Sequence, residues 1–323
     1  MDVSSGARQN WRRILVVYNP AAGPGQAALL DKTVTGLRAA GFEVTLRAGQ
    51  QTGDAALIAA TALYGGYDLV VAAGGDGTVN EVINGLAGCS VPFTVFPIGT
   101  ANVLAAEFGI TAAPTHFVRL IKQGKVDMAS LGEINGRRFI LMASFGFDAH
   151  VVSAITKSEK KLLGKGAYVY HACRRLATFD APDYELIING HHYNAAAAVI
   201  AKGRYYGGGF VVCPDARVTD PRFHVCLMTG RRRRDVLRYA FALCRGTLHR
   251  QSDVRIIAAN EVHICAPAHA PIQVDGDIRV RTPAFLKIVP SRAPIVIPEN
   301  QSGGRAQRNQ LDAIQSLGGC WSF

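Results

Sequence analysis

The sequence predicts an α/β N-terminal domain, with a parallel sheet and helices on both faces, followed by a mostly antiparallel β C-terminal domain. Three observations support this fold class. The chain has 323 residues, which fits two domains better than one. Before residue 124, apolar strand-like runs alternate four times with helix-like segments, a pattern typical of a parallel sheet covered by helices. After residue 124 the apolar segments are short, and two Asn-Gly pairs indicate hairpin turns.

The elements of the N-terminal domain, which we place at residues 12–124, follow from hydrophobic periodicity. Short apolar runs predict strands at 13–18, 42–46, 68–73 and 92–97. Apolar residues at helical spacing predict helices at 26–40, 54–64 and 78–86, and a fourth that ends near residue 108. Gly41 ends the first helix and a glycine pair at 65–66 ends the second, because glycine readily adopts the left-handed conformation found after a helix.

The C-terminal domain, placed at 125–298, is predicted to consist of short strands interrupted by helices. The predicted strands are 126–134, 138–143, 184–188, 195–201, 224–228, 254–258, 261–265, 272–274 and 285–289. The predicted helices are 149–163, 167–178 and 234–246. We expect disordered tails at 1–11 and 299–323, since chain ends of this polar character seldom pack.

The net charge of +11 indicates an anionic partner. Two basic clusters carry much of it: Lys157, Lys160, Lys161 and Lys165, and Arg231, Arg232, Arg233 and Arg234. Aromatic residues are not interleaved with these clusters, which argues against nucleic acid. Basic residues near an anionic bilayer contribute about 1 kcal/mol each, so we expect peripheral membrane association. Four consecutive arginines are equally consistent with a solvated turn.

The expected location is the cytoplasm. No apolar run approaches the roughly 18 residues needed for a membrane-spanning helix. The N-terminal residues lack the apolar core of a signal peptide. The seven cysteines are widely spread and show no metal-ligand spacing, which favours reduced structural thiols. The sequence leaves the oligomeric state open, a homodimer included.

A glycine-rich loop at 74–78, Gly-Gly-Asp-Gly-Thr, follows the third predicted strand and precedes a helix. Glycines let a ligand approach the backbone closely, and a helix N-terminus offers free N–H groups to a phosphate. Thr78 and Glu81 have the spacing of a capping box, which predicts Thr78 as the N-cap. Asp76 would repel a phosphate unless it faces a metal ion or a hydroxyl. Taken alone, the loop is equally consistent with a tight turn.

Two further glycine-bearing loops, at 19–25 and 99–100, also follow predicted strands. The carboxyl ends of parallel strands meet at one edge of the sheet, where ligands bind. The three loops can therefore converge on one polyphosphate. Because Mg²⁺ uses few carboxylates together with phosphate oxygens, Asp76 favours ATP with magnesium as the ligand.

Two loops of the C-terminal domain also carry acidic residues. Asp148 follows an apolar strand, and Asp275 and Asp277 flank Gly276 after another. Asp275 and Gly276 also fit a type I′ hairpin turn, which the spacing slightly favours. A triple glycine at 207–209 would let a backbone or a bulky substrate pass closely, or would form a flexible turn.

Five motifs occur in order along the chain. They are Asn-Pro-x-x-Gly at 19–23, Gly-Gly-Asp-Gly-Thr-x-Asn-Glu at 74–81, Pro-x-Gly-Thr-Ala-Asn at 97–102, Gly-Phe-Asp-Ala at 146–149, and Tyr-Gly-Gly-Gly at 206–209 followed by Pro-x-Ala at 214–216. With them the chain resembles the diacylglycerol kinase catalytic-domain family, most closely the bacterial soluble lipid kinases related to diacylglycerol and sphingosine kinases. The resemblance covers about residues 13–290. It implies an ATP-dependent lipid kinase that binds ATP and Mg²⁺ in a cleft between two domains.

The resemblance also implies roles for individual residues. The implied nucleotide contacts are Asn19, Thr52, Gly74, Gly75, Asp76, Gly77, Thr78, Val79, Asn80 and Thr100. Asp76 resembles the essential acid near magnesium and the phosphates. Asp148 resembles an acid that supports the substrate hydroxyl or the metal, and Asp277 matches the position of the proton acceptor.

The chain departs from the family at three places. Asp277 stands where the family commonly has Glu, and its shorter side chain reaches less far toward a hydroxyl. Val103 stands where many relatives carry Asp. A structural magnesium site of relatives would fall on Asp220, with the carbonyls of Arg217 and Arg222 as neighbours, but proline replaces the usual glycine at 221. Two alternatives therefore stay open: an NAD-kinase-like kinase of a soluble substrate, and a non-catalytic nucleotide- or lipid-binding protein.

Overall fold

A computed structural model of the chain describes residues 11–20, 24–147, 149, 174 and 182–299. Asp148, the lysine cluster at 157–165 and the helices predicted at 149–163 and 167–178 therefore lie outside the described residues, as does nearly all of both predicted tails. Trp11, the last residue of the tail predicted at 1–11, is described, and the predicted disorder is wrong for this residue. Its ring is buried, and its indole N–H donates to the carbonyl of Ile121 over 2.7 Å.

The parallel sheet of the first half is confirmed. Its strands are β1 (Arg13–Tyr18), β2 (Glu43–Ala48), β3 (Leu69–Gly74) and β4 (Phe93–Pro97). They pair in the order β2-β1-β3-β4, and every pair is parallel. β3 is buried along its whole length, as its continuous apolar run predicts.

Helices connect these strands. They are α1 (Pro24–Ala39), α2 (Asp54–Ala60, continued by a 3₁₀ turn at Thr61–Leu63), α3 (Asp76–Gly85), α4 (Val103–Phe108) and α5 (Pro114–Gln123). α1 packs against α5, and α2 packs against α3. The connection from β1 to β2 runs in one direction across the sheet, whereas those from β2 to β3 and from β3 to β4 run in the other. With right-handed crossovers, α1 therefore lies on the opposite face of the sheet from α2 and α3. The sequence did not predict α5.

The start of α3 differs from its predicted start. The N-cap is Gly75, in an extended conformation, and Thr78 lies inside the first turn. The capping box of Thr78 and Glu81 is therefore wrong. The helix begins two residues early because Gly75 turns the chain directly at the end of β3, and Thr78 instead packs its side chain over Gly74.

The second half is mostly antiparallel, as predicted. Its strands are β5 (Lys125–Ile134), β6 (Arg137–Phe139), β7 (Met142–Phe145), β8 (Tyr184–Ile188), β9 (His191–Ala195), β10 (Ala197–Ala201), β11 (Tyr205–Tyr206), β12 (Phe210–Val211), β13 (Phe223–Met228), β14 (Val254–Ala259), β15 (Glu261–Ala266), β16 (Pro271–Val274), β17 (Asp277–Arg281) and β18 (Ala284–Ile297). Among the described residues it also has a helix, α6 (Arg233–Cys244), and a 3₁₀ turn at Leu248–Arg250. One six-stranded sheet has the order β14-β13-β10-β7-β16-β17.

β18 is much longer than the strand predicted at 285–289, and it joins the two halves. Its first part pairs with β15, and its last part pairs in parallel with β4 of the first sheet. It also pairs with β5 along most of its length. The sheet that begins with β2 therefore continues into the second half.

Hydrophobic side chains form two buried clusters. The larger lies around β1, β3 and β4, and the smaller lies between the sheets of the second half. Within the described ranges, no helix combines the length and the apolar character needed to cross a membrane.

Candidate functional site

The candidate site lies at the carboxyl edge of the parallel sheet, where the strand order changes direction between β1 and β3. Ligands of open α/β sheets bind at such a point. The first residue after β1 is bound to the end of β3, because the amide of Asn19 donates to the carbonyl of Ala73 over 3.2 Å. The predicted convergence of the loops after β1, β3 and β4 on one edge follows from this topology.

The loops after β3 and β4 touch through glycines. A Cβ atom on Gly99 would overlap the Cα of Gly75, so no larger residue fits there without movement of the backbone. Asn102 fixes the second loop: its side-chain oxygen accepts the Gly99 amide and its side-chain nitrogen donates to the Gly99 carbonyl, both over 2.9 Å. Asn102 has a positive φ of 49°, which asparagine tolerates better than most residues. The two loops therefore form one compact wall.

The N-terminus of α3 opens at this wall. The N-cap residue Gly75 provides no side-chain cap for this helix. The first N–H groups of a helix have no intrahelical partners, and the helix dipole adds positive potential there. The arrangement suits an anion such as a phosphate.

Asp76 is the first residue of α3, and its carboxylate is buried against the start of α4. It accepts the amide of Leu104 over 3.3 Å. Burial raises the pKa of Asp76 to about 6, and the nearby charge of Asp275 adds to the rise, while the amides of Val103 and Leu104 oppose it. In the described part of the chain, no lysine or arginine forms an ion pair with this carboxylate. The group therefore suits a bound cation, as the sequence predicted for magnesium.

A small cavity adjoins Asp76, with room for about one water molecule. Its lining includes Gly74, Asp76, Val95, Asn102 and Leu104. The Asp76 carboxylate thus adjoins a narrow space between β4 and the wall formed by the loops after β3 and β4.

Asp277 comes from the second half and lies against the glycine loop. A Cβ atom on Gly77 would be 3.6 Å from the Asp277 carboxylate oxygen Oδ2. Asp277 is the first residue of β17, directly after the turn formed by Asp275 and Gly276. Both turn residues have positive φ, 46° and 92°, as a two-residue type I′ hairpin requires. This loop therefore contains both the type I′ turn and, directly after it, an acidic residue that lies against the glycine loop.

Asp275 is fully buried, and sequence reasoning missed its importance. Its carboxylate accepts the amides of Ile140, Leu141 and Met142 over 3.0 to 3.1 Å, and the side-chain amide of Asn80 over 2.9 Å. Burial raises its pKa, and these donors oppose the rise. The amides that it binds also explain why the strand predicted at 138–143 is divided into β6 and β7.

The other predicted nucleotide contacts divide into exposed and buried residues. Asn19, Thr52 and Thr100 are exposed at the edge. The side chains of Thr78, Val79 and Asn80 are buried, and that of Asn80 binds Asp275 and the carbonyl of Arg138. A nucleotide would meet the buried residues through their backbone, and the roles assigned to all of these residues remain predictions.

Glu107 on α4 is a second residue that the sequence did not reveal. It accepts the amide of Tyr205 over 2.7 Å and lies directly under Gly203. Burial raises its pKa to about 7, while the Tyr205 amide and the charges of Arg204 and Arg217 oppose the rise. Glu107 therefore connects α4 to the segment at 203–206, which leads to the triple glycine at 207–209.

The predicted structural metal site contains a lysine. The side chain of Lys202 donates from Nζ to the carbonyl of Asp220, and to the carbonyl of Arg222 over 3.0 Å. The third predicted neighbour, the carbonyl of Arg217, accepts the amide of Asp220 over 2.9 Å. Burial lowers the pKa of Lys202 to about 7, whereas the charge of Asp220 favours its protonated form.

Two family models match the chain. The diacylglycerol kinase catalytic domain matches residues 13–134, and the YegS C-terminal NAD kinase beta sandwich-like domain matches residues 142–297. A protein of Pseudomonas aeruginosa named "probable lipid kinase YegS-like" is 34% identical over 224 residues, which are 67% of this chain and 71% of that protein. A protein of Mycobacterium tuberculosis named "diacylglycerol kinase" is 27% identical over 310 residues, 93% of this chain and all of that protein.

A solved structure has the same fold. The crystal structure of a diacylglycerol kinase from Bacillus anthracis superposes with a TM-score of 0.72 at 22% identity. The match covers 90% of this chain and 98% of the other. The arrangement of a parallel α/β half and an antiparallel β half is thus common to both proteins.

Proposed function

The chain belongs to the diacylglycerol kinase catalytic-domain family, and from that premise we propose that it is an ATP-dependent lipid kinase. It would transfer the γ-phosphate of ATP to a lipid hydroxyl of the diacylglycerol or the sphingoid and ceramide type. The observation that carries the proposal is the meeting of the uncapped start of α3, the buried carboxylate of Asp76 and, against Gly77, the carboxylate of Asp277.

The nucleotide would lie along the wall formed by the two loops. Magnesium, when bound with ATP, neutralises charge on the phosphates and on the transferred group. The amides at the start of α3 would hold the phosphates, and the glycines of the loop have no side chains to keep a phosphate away from the backbone. Asp76 would hold the metal, because a buried carboxylate regains favourable interactions when a cation binds to it.

Asp277 would accept the proton of the lipid hydroxyl. A general base must come within hydrogen-bond distance of the group that it deprotonates, and Asp277 lies beside the first turn of α3. Asp148 follows Phe147 and would support the hydroxyl or the metal, as the family resemblance implies. Asp275 would act as a positioning residue, because it fixes the hairpin from which Asp277 extends.

The enzyme would reach its lipid by binding an anionic membrane through one surface, which we call the α6 face. It consists of exposed Arg234, Leu237 and Phe241 on α6, exposed Arg245 at the C-cap of α6, and exposed Phe210 on β12. The α6 residues recur at helical spacing, so they share one side of the helix. The guanidinium of Arg245 lies 4.4 Å from the ring centroid of Phe241.

Two observations favour an anionic membrane as the partner of the α6 face. Arginines at the start of a helix oppose its dipole, so local helix stability does not explain Arg233 and Arg234. α6 also packs against β12, and the preceding Gly208 lies close to the carbonyl of Ala101 in the second loop. A membrane bound there would be near the candidate site.

The proposal is tested by following radiolabel from γ-labelled ATP to a panel of lipids, with products identified by mass. We expect Asp76→Asn to lower transfer by about two orders of magnitude or more, the effect of removing one electrostatic group from an active site. Asp31→Asn, at an exposed position on α1, is the matched control and should leave transfer unchanged. Normal transfer by a folded Asp76→Asn variant would show that the assignment of Asp76 is wrong.

The same assay separates the alternatives. NAD is included as a soluble acceptor, because the second matched model is named for a domain like that of NAD kinase. Label in NADP and in no lipid would replace the lipid proposal by the NAD-kinase alternative. Binding of ATP without transfer to any acceptor would favour the non-catalytic alternative.

A further inference from the structure

The turn at 217–222 is where the family resemblance implies a structural magnesium ion, and its carbonyl oxygens already have a cationic partner. Lys202 follows β10, and its side chain is fully buried. Its Nζ donates to the carbonyls of Asp220 and Arg222, two of the three residues predicted to bind the metal. The aromatic ring of Phe223 lies 6.0 Å from the same nitrogen.

The other polar groups of the turn are also paired. The Asp220 carboxylate accepts Nε of Arg222 over 2.9 Å and lies 3.3 Å from Nε2 of His224. The Asp220 amide donates to the carbonyl of Arg217. The carboxylate is therefore directed toward basic side chains of the protein, and its pKa is lowered despite partial burial, through its bonds to Arg222 and His224.

This set of groups does not fit a divalent metal. Magnesium binds its oxygen ligands at about 2.1 Å in near-octahedral geometry, so it needs a position between the carbonyls. The Nζ of Lys202 occupies that position, whatever its protonation state. Within the described residues, no group of three or more histidine, cysteine, aspartate or glutamate side chains provides another metal site.

We infer that Lys202 is a built-in cation that replaces the structural divalent metal of the 217–222 turn. It holds the end of β10 to the turn that precedes β13, so this part of the fold needs no metal. The residues after Lys202 continue to Tyr205, whose amide binds Glu107 on α4. The lysine therefore also supports the segment that leads to the triple glycine near the candidate site.

The inference is tested by thermal unfolding without nucleotide, in EDTA and in millimolar Mg²⁺ or Ca²⁺. The Asp76→Asn protein, which lacks the proposed catalytic metal ligand, is the background for all variants, and we expect it to have the same melting temperature in all three solutions. Lys202→Met keeps most of the side-chain volume but removes the donor, and we expect it to melt several degrees lower because two buried carbonyls lose their partner. Lys202→Ala opens the space, and we expect its melting temperature to rise with Mg²⁺ or Ca²⁺.

Direct metal binding provides a second measurement that does not depend on activity. Mn²⁺ is titrated into the Asp76→Asn protein and into the same protein carrying Lys202→Ala, with free Mn²⁺ followed by electron paramagnetic resonance. The Asp76→Asn background removes the proposed catalytic metal ligand. We expect one additional Mn²⁺ site only when Lys202 is absent. A site at this turn with Lys202 present, or an Asp76→Asn protein that is stabilised by Mg²⁺ without nucleotide, would overturn the inference.

Discussion

At the scale of single residues, two buried carboxylates with opposite surroundings organise the site. Asp275 has four donors and holds the hairpin of β16 and β17 in place. The Asp76 carboxylate accepts hydrogen bonds from backbone amides of α4, and among the described residues it has no ion-pair partner. The charge of Asp76 is therefore poorly compensated in the protein alone, and this has a measurable consequence for stability.

We predict that Asp76→Asn stabilises the protein relative to the native chain as pH rises from 4 to 7.5. Asp76 has a pKa of about 6 when folded, above its ordinary 3.8, so the folded state binds more protons between these values. Stability from this group is present below pH 3.8 and lost as pH rises through 6. The change in the difference between variant and native protein should reach up to about 3 kcal/mol, since each pKa unit corresponds to about 1.4 kcal/mol.

The measurement is urea unfolding of both proteins, without nucleotide or metal, over this pH range. Asp31→Asn, with its exposed side chain on α1, is the control and should run parallel to the native curve. If the difference in unfolding free energy between Asp76→Asn and the native protein does not change with pH, burial does not raise the pKa of Asp76.

The sequence pointed to the loops and acidic residues of the candidate site, but it did not reveal the hydrogen bonds that connect them. The glycine loop and Asp76 were singled out because three glycine-bearing loops follow parallel strands, whereas Asp277 received its role from the family resemblance alone, and these roles remain predictions. Asp275 looked like an ordinary turn residue, because its burial depends on three amides about 135 positions earlier in the chain. Nothing local in the sequence reports such a distant contact.

At the scale of elements, the four strands and the helices α1 to α4 of the first half were predictable from their hydrophobic patterns, whereas α5 was missed. β18 was underestimated, since its later residues include Pro294 and exposed Arg292, which interrupt the alternation. Its length is fixed by partners from both halves, β5, β15 and β4. The Thr78 capping box failed because the glycine before the helix set its start.

Glu107 joins two elements, α4 and the segment at 203–206, and we predict that its bond to Tyr205 stabilises the protein. Glu107→Ala leaves the half-buried amide of Tyr205 without its acceptor, which should cost about 1 kcal/mol of unfolding free energy. Glu107→Gln keeps an oxygen acceptor and should cost less. As pH rises from 4.5 through 7, the difference between glutamine and glutamate should shift in favour of glutamine, because burial raises the pKa of the folded carboxyl group from 4.5 to about 7 and the folded state binds more protons in this range. Above pH 7 the group is ionised in both states, and the difference should level off.

Urea unfolding at pH 6 and pH 8 measures these effects, and Glu185→Ala, at an exposed position on β8, is the control. Native-like stability of Glu107→Ala at both pH values would mean that α4 does not depend on this contact.

At the scale of the whole molecule, the net charge of +11 and the α6 face are the two features behind the proposed binding to an anionic membrane. Charge alone would attract the protein to any polyanion. An apolar pair on the same helix face adds a contribution that a bilayer supplies and a purely polar polyanion does not, because burial of leucine and phenylalanine side chains away from water is favourable. The relative importance of the two contributions is therefore open to experiment by substitution of the apolar residues alone.

We predict that Leu237→Ser with Phe241→Ser weakens binding to phosphatidylcholine vesicles containing phosphatidylglycerol by about ten-fold, equivalent to about 1.4 kcal/mol. These side chains are 57% and 60% exposed, so their loss should leave the fold intact. Leu57→Ser with Tyr64→Ser is the matched control, since these residues are 72% and 93% exposed elsewhere on the surface. Vesicle co-sedimentation measures binding, and phosphorylation of a short-chain, water-soluble diacylglycerol should be equal in all three proteins. Equal vesicle binding by both double variants would show that the α6 face does not contact the membrane, whereas loss of soluble-substrate phosphorylation would instead implicate the catalytic site.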